Sequence, residues 1–259
     1  MLCGPFYAIS FLWRLPLGIY PKSEKDFQVG IPFFPLVGFL EGFILFLVAK
    51  LLTNFVPSPL LALILIALLF FLRGIFHLDG LSDTFDALSY KGCGDKTRDV
   101  EKRLSIMKDS TVGVAGMTAV TLVILGKFQL FKEILQMNQG PFLILPYFIS
   151  RMFLNLWLFL GKPARAEGLG YIMITHTNKG VFTLAIVISF ILLSLIMKLT
   201  SLSLRDTLLL LLLNFSILFY SKRLFDKAFV GLTGDNLGAL VILSEIITLL
   251  YLVIIWPKL

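Results

Sequence analysis

Three aspartates, Asp79, Asp83 and Asp86, fall within eight residues in the stretch Phe76-His77-Leu78-Asp79-Gly80-Leu81-Ser82-Asp83-Thr84-Phe85-Asp86. On a helix of about 3.6 residues per turn, Asp83 lies roughly 40° to one side of Asp79 and Asp86 roughly 20° to the other. The three carboxylates share one face, and Leu78, Leu81, Phe85 and Leu88 take the opposite one. Ionised carboxylates this close repel unless a cation sits among them. An all-oxygen ligand set suits a hard ion such as Mg²⁺, which also holds substrate phosphate. The simpler alternative is a solvated helix face, but a long apolar run leads directly into the motif.

Three further clusters carry complementary chemistry. Arg103-Leu104-Ser105-Ile106-Met107-Lys108-Asp109-Ser110 precedes Gly113 and Gly116. Its cations suit phosphate oxygens, and Asp109 or Ser110 can cap the helix that follows. Arg165-Ala166-Glu167-Gly168-Leu169-Gly170 reads as a loop able to fold over an anion. Thr233-Gly234-Asp235-Asn236-Leu237-Gly238 offers backbone N–H groups at a helix start for an anion, and Asp235 for a metal or hydroxyl. Arg151 stands in mid-span and must find an anion or a carboxylate. His77 reads as a packed histidine rather than a ligand, and His176 has no evident partner.

These residues must be positioned by a membrane bundle. The 259 residues are 58% hydrophobic with mean hydropathy +0.91, above the roughly 50% apolar content of soluble domains. The net charge of +7 does not imply nucleic acid, because the basic residues lie in loops where membrane topology puts them. Cys3 and Cys93 have neither metal-ligand spacing nor a disulfide framework and are expected as reduced thiols. No cleavable signal peptide is expected.

The pattern predicts an all-α, polytopic helix bundle forming one domain over residues 1–259. About six to seven spans are expected, at 33–52, 60–76, 112–131, 141–161, 181–198, 205–220 and 238–256. Residues 4–19, broken by Pro5, Arg14 and Pro16, read as an interfacial or re-entrant helix. Span 60–76 is expected to run straight into the aspartates. Gly38 and Gly42 allow a neighbouring helix to come close. Glu41, between them, is assigned a structural role, and Arg73 either pairs with an acid or snorkels. Basic residues concentrate in 1–32, 77–111, 162–180 and 221–237, which places those segments in the cytoplasm. Acids for a divalent ion, cations for phosphate and glycine turns then meet on one membrane face, as magnesium-assisted transfer of a phosphate group from a diphosphate to an alcohol requires.

At these clusters the chain resembles the adenosylcobinamide-GDP ribazoletransferase (cobalamin synthase) family. The likeness also takes in Arg14-Leu15-Pro16, Phe34-Pro35-Leu36-Val37-Gly38 and Ser150-Arg151, nearly the whole length. It implies a Mg²⁺-dependent enzyme of the cytoplasmic (inner) membrane with its active site facing the cytoplasm. That enzyme joins adenosylcobinamide-GDP to α-ribazole, or α-ribazole 5′-phosphate, and releases GMP. Carried over residue by residue, Asp79, Asp83, Asp86 and Asp109 hold metal, and Asp79, Asp83 and Asp109 are catalytic, with Asp83 or Asp109 as base. Arg103, Lys108, Arg151, Arg165, Glu167 and Asp235 bind substrate. Expected partners are the two substrates and the lipid bilayer, with no nucleic acid. Self-association, or association with other corrinoid-assembly enzymes, is left open.

Ala87 and Ile242 depart from the family's Gly and Glu, and Glu41 is not a family feature. A phosphotransferase of the CDP-alcohol type would need a second acid pair spaced across Ala-Arg and Gly, which is absent. A cation-coupled transporter would favour midplane charges and paired repeats, and no repeat is evident.

Overall fold

The computed structural model describes residues 3–15, 18–200 and 202–258. Pro16, counted above among the breaks of the N-terminal segment and in its family motif, lies outside the described residues. Twelve α-helices follow in order among them: α1 (Gly4–Leu12), α2 (Glu24–Gly30), α3 (Phe34–Leu52), α4 (Ser58–Arg73), α5 (Phe76–Ser89), α6 (Lys96–Ile106), α7 (Val114–Gln136), α8 (Ile144–Leu160), α9 (Leu169–His176), α10 (Lys179–Thr200), α11 (Leu204–Phe229) and α12 (Gly234–Leu250). The all-α expectation holds.

Among the described residues, six helical segments are long and apolar enough to cross a membrane: Glu24–Leu52, Val114–Gln136, Gly140–Leu160, Lys179–Thr200, Leu204–Phe229 and Gly234–Ile255. This is a multi-pass membrane protein. The first span starts earlier than expected, because Ser23 and Asp26 form a capping box that begins α2 and the chain continues helically into α3. At nine residues, α1 is too short to cross.

The expected continuous span 60–76 is corrected. The chain turns by 92° between α4 and α5. The turn sits at Gly74, whose φ of +71° suits glycine and few other residues. Helix α5 is therefore a separate, amphipathic element set at an angle to the helix before it.

Helices α8 and α12 are the centre of the bundle, buried over most of their length. By contrast α7, α10 and α11 expose most of theirs, as helices facing lipid do. Gly38 and Gly42 of α3 lie directly against the backbones of Tyr147 and Ile144 in α8, so the small residues bring two helices together as their spacing suggests.

Candidate active site

The four sequence clusters close into a ring at one end of the bundle. Helix α5 lies against the start of α12. Gly80 abuts the Asp235 backbone, Gly238 abuts His77, and Asn236 Nδ2 donates to Thr84 Oγ1 at 3.1 Å. The capping box of Thr233 and Asn236 starts α12 there. Gly170, at the start of α9, packs on Thr233 and Gly234. The loop before it sends Arg165 Nη2 to the Leu104 carbonyl at 3.1 Å and Nη1 to within 3.8 Å of Asp235 Oδ2. Lys108 Nζ stands 3.9 Å from Glu167 Oε1. The backbone N–H groups of Gly113 and Gly116 donate to Asp86 Oδ2 and Oδ1, each at 2.8 Å, and return the ring to α5.

Within the ring, a cavity of about 290 Å³ is lined by Asp79, Arg165, Glu167, the Gly168–Gly170 and Thr233–Asp235 turns, and the aromatic residues Phe11, Phe76 and Tyr171. Asp83 lies next to this group. Its carboxyl is pushed up to about 7 by burial and then by the charges of Asp79, Asp235 and Asp86. A second, wider cavity of about 830 Å³ opens on the other side of α5, between Asp86, Asp109 and the apolar start of α7.

Not every expected site residue joins the cavity. Asp79, Arg165, Glu167 and Asp235 line it, with Asp83 beside them and Lys108 at its edge. Asp86 uses both oxygens to cap α7, the task expected of Asp109 or Ser110. Asp109 instead accepts from the Thr111 N–H at 3.0 Å and hydroxyl at 2.6 Å, which hold its carboxyl below the usual range. Arg103 does not face Asp79. It donates to the Tyr90 carbonyl at 3.3 Å and lines a different cavity.

Arg151 requires the plainest correction. It is fully buried and bonded to Glu245 at 2.9 Å and Glu41 at 3.1 Å, so it cannot contact a substrate at the rim. It belongs to a mid-bundle ion network. Glu245 also receives Arg73, at 2.5 and 3.0 Å, and Lys127, at 2.5 Å, and Arg73 Nε stands 3.5 Å from Glu41. Glu41 thus has the structural role expected of it, and Arg73 pairs rather than snorkels. Lys127 was missed, although a lysine deep in an apolar span is itself a sign of a buried carboxylate partner. His77 is buried, as expected. His176 has a partner after all, with Nε2 at 3.2 Å from Glu24.

Among the described residues no group of three or more His, Cys, Asp or Glu side chains stands close enough to enclose a metal. Mg²⁺ does not need such a cage, since it keeps several waters and binds through one or two carboxylates plus substrate phosphate. Asp79 and Asp235 in the cavity lining, with Asp83 beside them, fit that requirement.

Fold and site together define a membrane-embedded protein with a small cavity at one end of its bundle that carries two aspartates, a glutamate and an arginine. The sequence pattern of the cobalamin-5-phosphate synthase family matches residues 4–253, and the chain belongs to that family. It is 39% identical over 244 residues to the adenosylcobinamide-GDP ribazoletransferase of Thermodesulfovibrio yellowstonii, covering 94% of this chain and 93% of that one. It is 32% identical to the protein of the same name from Clostridioides difficile, over 94% of each chain. It is 35% identical to that from Acinetobacter baumannii, over 97% of each. No solved structure matches it. The chain is a transferase of cobalamin biosynthesis.

Proposed function

We propose that the protein joins adenosylcobinamide-GDP to α-ribazole, or α-ribazole 5′-phosphate, forming adenosylcobalamin or its 5′-phosphate and releasing GMP. The reading rests on one observation above all: three separate sequence clusters line one cavity holding Asp79, Asp235 and Arg165, and the fourth braces Arg165 and Glu167 from behind. The relatives' names supply the substrate class, and the chemistry of the cavity agrees with it.

In this reading the acceptor's ribose hydroxyl oxygen bonds to the phosphorus that carries the cobinamide. The anhydride P–O bond breaks, and GMP leaves with the electron pair. Asp79 and Asp235 would hold Mg²⁺, which would offset charge on the diphosphate oxygens. Arg165 places a guanidinium beside the same oxygens, steadied by Leu104 and Asp235. Asp83 takes the hydroxyl proton. It stands beside the cavity, and its ionised form, favoured once a cation screens Asp79 and Asp235, can accept that proton, whereas Asp109 is already engaged by Thr111 and is the poorer choice. The positive-inside distribution of loop charge supports a cytoplasm-facing site in the cytoplasmic membrane.

The test is direct. Purified full-length protein in lipid, given both substrates and Mg²⁺, releases GMP, and chelation of the metal stops it. Absence of GMP with intact, monodisperse protein overturns the assignment.

A further inference from the structure

A third cavity, of about 490 Å³, lies outside the ring, between surface helix α6 and the last turns of α11. Lys96, Arg103 and Lys227 line it, together with Asp99, Leu88 and Leu224. Three cations face one carboxylate. Asp99 is already engaged, accepting from the N–H groups of Cys93 at 2.7 Å and Gly94 at 3.3 Å. Lys96 and Lys227 form no ion pair among the described residues, and the Nε of Arg103 is buried without a partner. Like charges gathered this way repel one another unless an anion sits among them.

The position says which anion. Helix α11 has 26 residues, about 39 Å at 1.5 Å per residue, so its end passes beyond a hydrocarbon core of about 30 Å. The cavity therefore lies at the level of lipid headgroups, on a helix that faces lipid, with Leu88 and Leu224 as its apolar wall. Helix α6 has no buried residue, yet its Leu104 carbonyl holds Arg165 in the active cavity.

We propose that Lys96, Arg103 and Lys227 bind the phosphodiester headgroup of an anionic phospholipid, and that the bound lipid fixes α6 and so positions Arg165 for the reaction. Such basic pockets at helix ends suit anionic lipid headgroups.

Two measurements on the full chain test this. Native mass spectrometry of protein carried in mixed phosphatidylcholine and phosphatidylglycerol reads binding directly and does not depend on the proposed reaction. Retention of phosphatidylglycerol should fall about tenfold or more in the double variant Lys96→Gln/Lys227→Gln. Both lysines are exposed, so the exchange should leave the fold intact. The second measurement rests on the transferase reading. GMP release by the natural protein should rise severalfold when phosphatidylcholine vesicles are supplemented with phosphatidylglycerol, and this ratio should approach one in the double variant. Equal lipid retention by both proteins overturns the proposal. So does an equal response of both to phosphatidylglycerol, or full replacement of the lipid effect by inorganic phosphate. GMP release absent from both proteins while retention differs leaves the lipid site standing and removes the reaction assigned above.

Discussion

Two regions of this molecule use the same residue types to opposite ends. In mid-bundle, Glu41 and Glu245 meet Arg73, Lys127 and Arg151, and every charge touches an opposite one. At the rim, Asp79, Asp83 and Asp235 repel one another, with Arg165 as the cation in their cavity. The inner set pairs every group it has, three cations with two carboxylates, in joining α3, α4, α7, α8 and α12. The outer set leaves charge over for a ligand. Charged residues in a membrane protein thus mark function only where their partners run out.

Four substitutions test this contrast. The largest effect is expected from Asp79→Ala, which should lower GMP release by about 10⁴-fold or more, equivalent to at least about 5 kcal/mol, while the protein still elutes as a folded species. Turnover near the natural rate would move the site away from the rim. Next, Glu245→Leu leaves three cations around one remaining acid. It should cost about 3–5 kcal/mol, seen as loss of folded yield and a much lower Tm. A variant that keeps its Tm would show the inner network to be dispensable.

Asp86→Ala removes the cap from α7 and should cost about 1–2 kcal/mol, a Tm change readable by scanning calorimetry. The smallest effect on stability belongs to Asp83→Asn, and it depends on pH. The carboxyl lies near 7 in the folded protein against 3.8 ordinarily. Its ionisation therefore opposes folding increasingly as pH rises from about 4 to 7. Without Mg²⁺ the variant should gain about 2–4 °C in Tm at pH 8 and nothing at pH 4, and added Mg²⁺ should erase the difference. A gain independent of pH would mean that Asp83 is not crowded by negative charge.

Much of this was legible in the sequence because it is local. The spacing of Asp79, Asp83 and Asp86 fixes a shared helix face, and the glycine pair at 38 and 42 announces a close helix neighbour. What stayed hidden depends on distant partners. Asp86 looks like its two neighbours until Gly113 and Gly116 arrive from α7 to occupy it. Arg151, alone in its span, reads first as a functional cation, and only the meeting of five helices makes it structural. Arg103 sits on the same surface helix as Leu104, yet one turns toward Tyr90 while the other's carbonyl holds Arg165. The break at Gly74 was visible as a glycine after Arg73, but the apolar run before it and the acidic motif after it made a continuous helix the simpler reading.

The claim beneath the whole account is that the rim carboxylates hold a divalent cation and the buried ones do not. Binding of Mn²⁺, as a stand-in for Mg²⁺, to purified protein by electron paramagnetic resonance reads this without any substrate. The account predicts saturable binding that Asp79→Ala and Asp235→Ala each weaken by about tenfold or more and that Glu41→Gln leaves unchanged. Equal Mn²⁺ affinity in the natural protein and the Asp79 and Asp235 variants would contradict it.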